Sequence, residues 1–404
     1  MCEDTAMKLF RQLLVAPATL IMLAPISGNA SEVNLDEVSN YSDEGLEITS
    51  ESFDNTFTKS SLLAGGEGLT DSHNHNNGPD SFSDTTVATQ TASMLLSAGS
   101  GDTATMGDIE TTQFFYYYGM SLDTSFDGED NLNVVLETGN TDSSGFAGVS
   151  TDLDFGSANG DTLKVVDVNY TKDFGNLSVT VGDSLDASSQ YPGACAYSGL
   201  TDQLSDCGTG LSAGLGGDVS LSSSYDIGNG FVLGLGFTGA EGSSTDGLFT
   251  KESIDAFGAQ LAYTADSYGA AISYSNIDSH TDGTALIGVD KDTTVVGINA
   301  YYTFNGPIES FSAGYETANP ATGEDTSNWF AGLETAEVGP GSISVGIGTG
   351  GHTTDSAEEL LMYEANYSWD VNDATAMSFG GYIREQGTGV EDFSGVALTT
   401  TFSF

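Results

Sequence analysis

Residues 231–238 read FVLGLGFT, with Phe231, Leu233, Leu235 and Phe237 on one face of an extended chain and Val232, Gly234, Gly236 and Thr238 on the other. Side chains alternate across a strand, so a strict period of two with one apolar face marks a strand with two different surroundings. The pattern recurs along the chain. In 114–122 one face carries Phe114, Tyr116, Tyr118, Met120 and Leu122. In 257–264 Phe257, Ala259, Leu261 and Tyr263 oppose Gly258, Gln260, Ala262 and Thr264. In 361–369 Leu361, Tyr363, Ala365, Tyr367 and Trp369 oppose Met362, Glu364, Asn366 and Ser368. Sixteen such runs are predicted, centred near 92, 118, 135, 167, 180, 222, 235, 260, 272, 299, 313, 331, 346, 364, 379 and 398. Each is about 8–14 residues long, close to what a tilted strand needs to cross a bilayer.

The connections alternate in length. DGED (127–130), DFGN (173–176), IGNG (227–230), ADS (265–267), NGPIE (305–309), VGPG (338–341) and DVND (370–373) are the Gly/Asn/Asp turns that close hairpins. Between them lie longer polar connections at 99–110, 140–161, 184–217, 241–252, 278–291, 317–325, 350–357 and 386–392. A soluble sandwich has no reason to keep every second connection short, whereas an outer-membrane barrel has tight periplasmic turns and long outer loops. The predicted fold class is therefore all-β: a transmembrane antiparallel β-barrel of about 16 strands. The final run places Val396, Leu398, Thr400, Phe402 and Phe404 on one face and ends on an aromatic. Tyr268, Tyr274, Tyr302 and Trp369 lie near strand ends, where aromatic girdles form.

Composition narrows the function classes. The 404 residues carry 58 acidic and 8 basic side chains, a formal charge of −50, which excludes a nucleic-acid partner. Hydrophobic residues still make up 38%, too many for a disordered chain. No G-x-S-x-G elbow or G-K-[ST] loop appears, so neither an enzyme nor a cofactor is read here. His73 and His75, with Asp71 and Asp80 nearby, read as a solvated Gly/Asn loop rather than a metal site.

At the N-terminus, Lys8 and Arg11 precede the apolar stretch Leu13–Leu23, and Gly28 and Ala30 occupy the small positions before Ser31. These are the three parts of a secretory signal over 1–30, with Met7 as the natural start. Residues 31–85 form a polar extension and 86–404 the barrel. Export puts Cys195 and Cys207, twelve positions apart in one polar loop, where a disulfide between them is expected.

The leader MKLFRQLLVAPATLIMLAP, the following SEVNLDEVSNYS, and the stretches at 122–140, 224–239 and 248–276 resemble cyanobacterial (picocyanobacterial) outer-membrane porins, relatives of carbohydrate-selective porins. Many members carry an S-layer-homology domain, and 31–85 holds neither that domain nor a heptad run. The resemblance implies an outer-membrane channel for passive diffusion of small hydrophilic solutes and ions, surrounded by outer-membrane lipid and assembled as a homotrimer. It also implies that the third outer loop, 184–217, folds inward. That would bring Asp183, Asp186, Asp202 and Asp206 to a constriction, with Lys164 or Arg384 on the opposing wall. From the alternation itself, Asn133, Glu137, Gln260 and Glu364 are expected to face a hydrated lumen. Only Lys164, Lys172, Lys251, Lys291 and Arg384 are basic in the barrel region, so the lumen is expected to prefer cations. The alternative reading is a structural or receptor barrel, bound by phage or another partner, whose long loops are its working part.

Overall fold

The computed structural model describes residues 86–404 apart from 104–106, 142–151, 154, 156–158, 240–241, 243–244, 246, 250–253, 279–291, 322 and 355. The leader, the polar extension, Lys251 and Lys291 lie outside the described residues. The strands are β1 (Thr86–Thr103), β2 (Gly107–Thr124), β3 (Asp130–Gly139), β4 (Lys164–Phe174), β5 (Leu177–Asp183), β6 (Val219–Gly228), β7 (Phe231–Gly239) and β8 (Asp255–Thr264). The second half comprises β9 (Tyr268–Ile277), β10 (Thr293–Thr303), β11 (Ile308–Pro320), β12 (Thr326–Thr335), β13 (Gly341–Thr349), β14 (Thr353–Thr354), β15 (Leu361–Asn372), β16 (Thr375–Arg384) and β17 (Phe393–Ser403). Two single-turn helices, α1 (Asp202–Ser205) and α2 (Gly210–Ala213), lie between β5 and β6.

Each long strand pairs antiparallel with its neighbours in sequence, and β17 returns to β1 through a ladder running from Thr91–Ser403 to Ser100–Ser394. β14 is a two-residue extension on β12 beyond the end of β13, so the closed wall has sixteen staves. Closure removes the exposed edges that an open sheet would present. All sixteen expected centres fall inside strands.

One expected connection is wrong. The sequence predicts a long outer loop at 99–110, but β1 and β2 stay in register to Thr103–Gly107. The Ser/Thr/Gly/Asp composition of this stretch resembles a loop, and a hairpin that continues past the apolar belt needs no apolar face.

The wall is inside-out relative to a soluble barrel. Phe257, Leu261, Ile272, Tyr274, Val296, Ile298, Phe311 and Phe379 are exposed on its outer face. The residues between them are buried and polar: Gln260, Ser273, Ser275, Asn299, Ser312, Glu316 and Asn328. At the short-turn end Phe174, Tyr225, Phe231, Tyr268, Tyr302 and Phe304 are exposed. Tyr263 bridges part of this band, with ring centroids 4.7 Å from Phe231 and 5.8 Å from Tyr268.

Candidate functional site

The segment between β5 and β6, residues 184–218, folds into the barrel and runs along the inner face of β6 to β15. Its composition permits this, because small residues such as Gly193, Ala194 and Gly199 let a backbone lie against a wall. Near its start, Gln190 donates its backbone N–H to Ser222 on β6 at 3.0 Å. Further on, Gly193 N–H meets Gln260 Oε1 on β8 at 2.8 Å, and Ala196 N–H meets Ser312 Oγ on β11 at 2.9 Å. The wall makes room with inward glycines. A Cβ on Gly314 would collide with the backbone carbonyl of Cys207, and one on Gly234 would stand 2.5 Å from the Tyr191 ring. Gly314→Ala is therefore expected to cost about 1–3 kcal/mol through overpacking against backbone that cannot rotate away. A lower temperature of heat unfolding, read on detergent gels, checks this.

Two buried carboxylates hold the far side of the segment. Glu364 on β15 accepts from Tyr197 Oη at 2.6 Å, Leu200 N–H at 3.0 Å, Thr201 N–H at 2.8 Å and Thr201 Oγ1 at 2.5 Å. Glu316 on β11 accepts from Leu211 N–H at 3.0 Å and Ser212 N–H at 2.9 Å, and His352 Nε2 lies 2.7 Å away. Bonds to an ionised acceptor are the strong kind, and here they are screened from water. Burial and the neighbouring Glu364 push the Tyr197 hydroxyl far above its usual range, which keeps it a proton donor. A disulfide joins Cys195 to Cys207 with Cα atoms 6.3 Å apart, closing the part of the segment that contains α1.

The expected site residues separate into groups. Asp202 opens α1 and Asp206 follows it, and both are exposed within the barrel segment. Asp186 is exposed too, but its Oδ1 accepts from Ser188 N–H at 2.8 Å and Leu215 N–H at 3.0 Å, tying the two limbs of the segment together. Asp183 does not belong with them: it is the last residue of β5, opposite Val168, in the register of the outward Val179 and Val181. Gln260 and Glu364 do face inward, but not onto a hydrated lumen. The segment covers them, leaving exposures of 1% and 5%, and they serve as its anchors. Arg384 is also not a bare opposing charge, because it is ion-paired with Asp152.

Asn133 and Glu137 lie on the wall that this segment leaves uncovered. Asn133 Nδ2 donates to Ser121 Oγ at 2.5 Å and Asp123 Oδ1 at 2.8 Å, and Tyr117 Oη donates to Glu137 at 2.8 Å. Beyond a bulge in the β3–β4 ladder, Lys164 stands in register with Glu137. Among the described residues no group of three or more His, Cys, Asp or Glu is placed to hold a metal ion.

No family model matches the chain, and no curated protein matches it. Solved structures do. OprB of Pseudomonas putida is 12% identical with a TM-score of 0.58, over 79% of this chain and 94% of that one. An anion-selective porin from Comamonas acidovorans is 15% identical with a TM-score of 0.55, over 79% and 99%. The fold is that of bacterial porins. A third porin structure aligns at 12% identity and a TM-score of 0.50, over 79% and 100%. At such identities the likeness establishes architecture, and the chemistry of the lumen has to be argued from this chain's own residues.

Proposed function

We propose that the protein is an outer-membrane porin, a water-filled channel for passive diffusion of small hydrophilic solutes and ions with a preference for cations. The observation that carries this reading is the inside-out wall, apolar without and polar within, with a pinned segment narrowing its interior. A sixteen-stranded barrel is wide enough to hold an aqueous channel rather than a packed core. Removal of the leader, the outer-membrane location and a homotrimeric assembly belong to the same proposal. The relation to carbohydrate-selective porins adds sugars to the candidate solutes.

The acidic lining supports the proposed sign of the selectivity. Asp123, Glu137 and Asp167 are on the uncovered wall, and Asp202 and Asp206 are exposed on the inward segment. Against these carboxylates stand Lys164, beside Glu137, and Arg384, already paired. Such a lumen concentrates cations and repels anions. The anion-selective neighbour shares the barrel, but a fold carries no sign. Purified protein in planar bilayers should give stepwise conductance. In a tenfold KCl gradient its reversal potential should correspond to a cation-to-anion permeability ratio above about 3. An absence of steps refutes the channel, and an anion-selective reversal potential refutes the preference alone.

A further inference from the structure

Arg384 and Arg11 are the two arginines of the sequence, and Arg384 stands inside the barrel. Its register partners are Met362 on β15 and Phe393 on β17, both inward and fully buried. The guanidinium lies 5.9 Å from the centroid of the Phe393 ring. With its amide oxygen turned toward the guanidinium, Gln386 accepts from Nε at 3.0 Å and from Nη2 at 3.2 Å. Asp152, from the connection between β3 and β4, covers a further side and leaves the arginine side chain 26% exposed. Asp152 Oδ1 accepts from Arg384 Nη1, and its Oδ2 accepts from Tyr382 Oη at 2.9 Å. Asp152 is 5% exposed, so both of its oxygens are used and neither faces open water.

The next residue continues the contact. Leu153 forms an isolated antiparallel bridge with Thr201 of the inward segment, and Thr201 donates twice to Glu364. Leu153 also packs into a buried cluster with Leu95, Phe115, Leu200, Tyr382 and Phe393. Two adjacent residues of one connection therefore touch both the wall arginine and the segment that narrows the barrel.

We propose that Asp152 masks the charge of Arg384 from the channel while Leu153 braces the inward segment at Thr201, so that this residue pair sets both ion preference and the position of the constriction. The proposal rests on the porin reading for its functional consequence, but the mask itself is a property of the folded barrel. An uncovered guanidinium inside the lumen would attract anions and work against the surrounding carboxylates. Paired with Asp152 it contributes little net field. The pair is costly to bury, and removing one partner leaves the other charged and uncompensated. Burial pushes the Asp152 carboxyl above the usual carboxylate range, and the Arg384 charge and the Tyr382 hydroxyl pull the other way, so the anion depends on these two partners.

Labelling with phenylglyoxal, a dicarbonyl reagent that attacks exposed guanidinium groups, tests the mask directly. Peptide mass spectrometry of the full-length folded protein should show Arg384 modified slowly, and about tenfold faster in Asp152→Asn. Equal rates in the two proteins overturn the mask, whatever the conductance does. The second arm is the reversal potential in planar bilayers. Asp152→Asn should lower the cation-to-anion permeability ratio by about twofold or more, and adding Arg384→Gln should restore it. A merely structural role for Asp152 would leave the double variant as altered as the single one, and that result overturns the selectivity claim. A wild-type protein with a protected Arg384 but no channel activity would refute the porin reading and leave the mask standing.

Discussion

Replacing residues 196–206 by a single glycine should raise the single-channel conductance by about twofold or more, because it removes the material that occupies the lumen beside β12 to β15. The geometry allows the cut. Cys195 and Cys207 have Cα atoms 6.3 Å apart, and two peptide links reach about 7 Å, so the remaining limbs need not move. The lost stretch includes Tyr197, Leu200 and Thr201, the donors to Glu364, and the whole of α1. Glu364 then faces water, so no buried charge is stranded. An unchanged conductance in a barrel that still shows heat-modifiable mobility on detergent gels would place the narrowest passage elsewhere.

The second large effect is expected from Glu364→Ala. Four donors from three residues converge on this carboxylate, which is 5% exposed. Bonds to an ionised acceptor contribute about 1.5–3 kcal/mol each and are not additive, so loss of the whole set should weaken docking of the segment by on the order of 3–5 kcal/mol. The staves keep their own ladders, so the barrel should still assemble. What should change is the segment: open-channel current noise rises, and proteinase K cleaves between 197 and 206 in the variant but not in the wild type. Glu364→Gln, which keeps one carbonyl acceptor, should fall between them. A quiet, protease-resistant Glu364→Ala channel would mean that Glu316 and the disulfide hold the segment unaided.

The staves were legible because each obeys one local rule. Phe231, Leu233, Leu235 and Phe237 had to share a face, and in a barrel that face meets lipid. What lay beyond sequence reasoning was which inward positions remain wet. Gln260 and Asn133 have the same alternation and similar polarity, yet one is covered by the inward segment and the other is not. That difference comes from residues 67 positions upstream of Gln260, and strand periodicity carries no trace of it. Glu316, Tyr191 and Asp152 were missed for the same reason, since each matters only through a distant partner. One signal was available. Gly234 and Gly236 alternate on the inward face of β7, and successive glycines within a strand mark a close approach by another backbone or ring. A loop rich in glycine and alanine was its natural complement.

The bonds that seat the inward segment also dictate the order in which the molecule can be built. Tyr197 and Leu200 reach Glu364 across 167 and 164 positions, and Ala196 reaches Ser312 across 116. These seats do not exist until β8 to β15 have paired, and the entropic cost of such distant encounters slows them further. The Cys195–Cys207 ring spans only 12 positions and needs none of that wall. It can close while the chain is still open, so the segment can reach the assembling barrel as a preformed ring. Docking of that ring onto Glu364 and Ser312 has to follow the pairing of the strands that carry them.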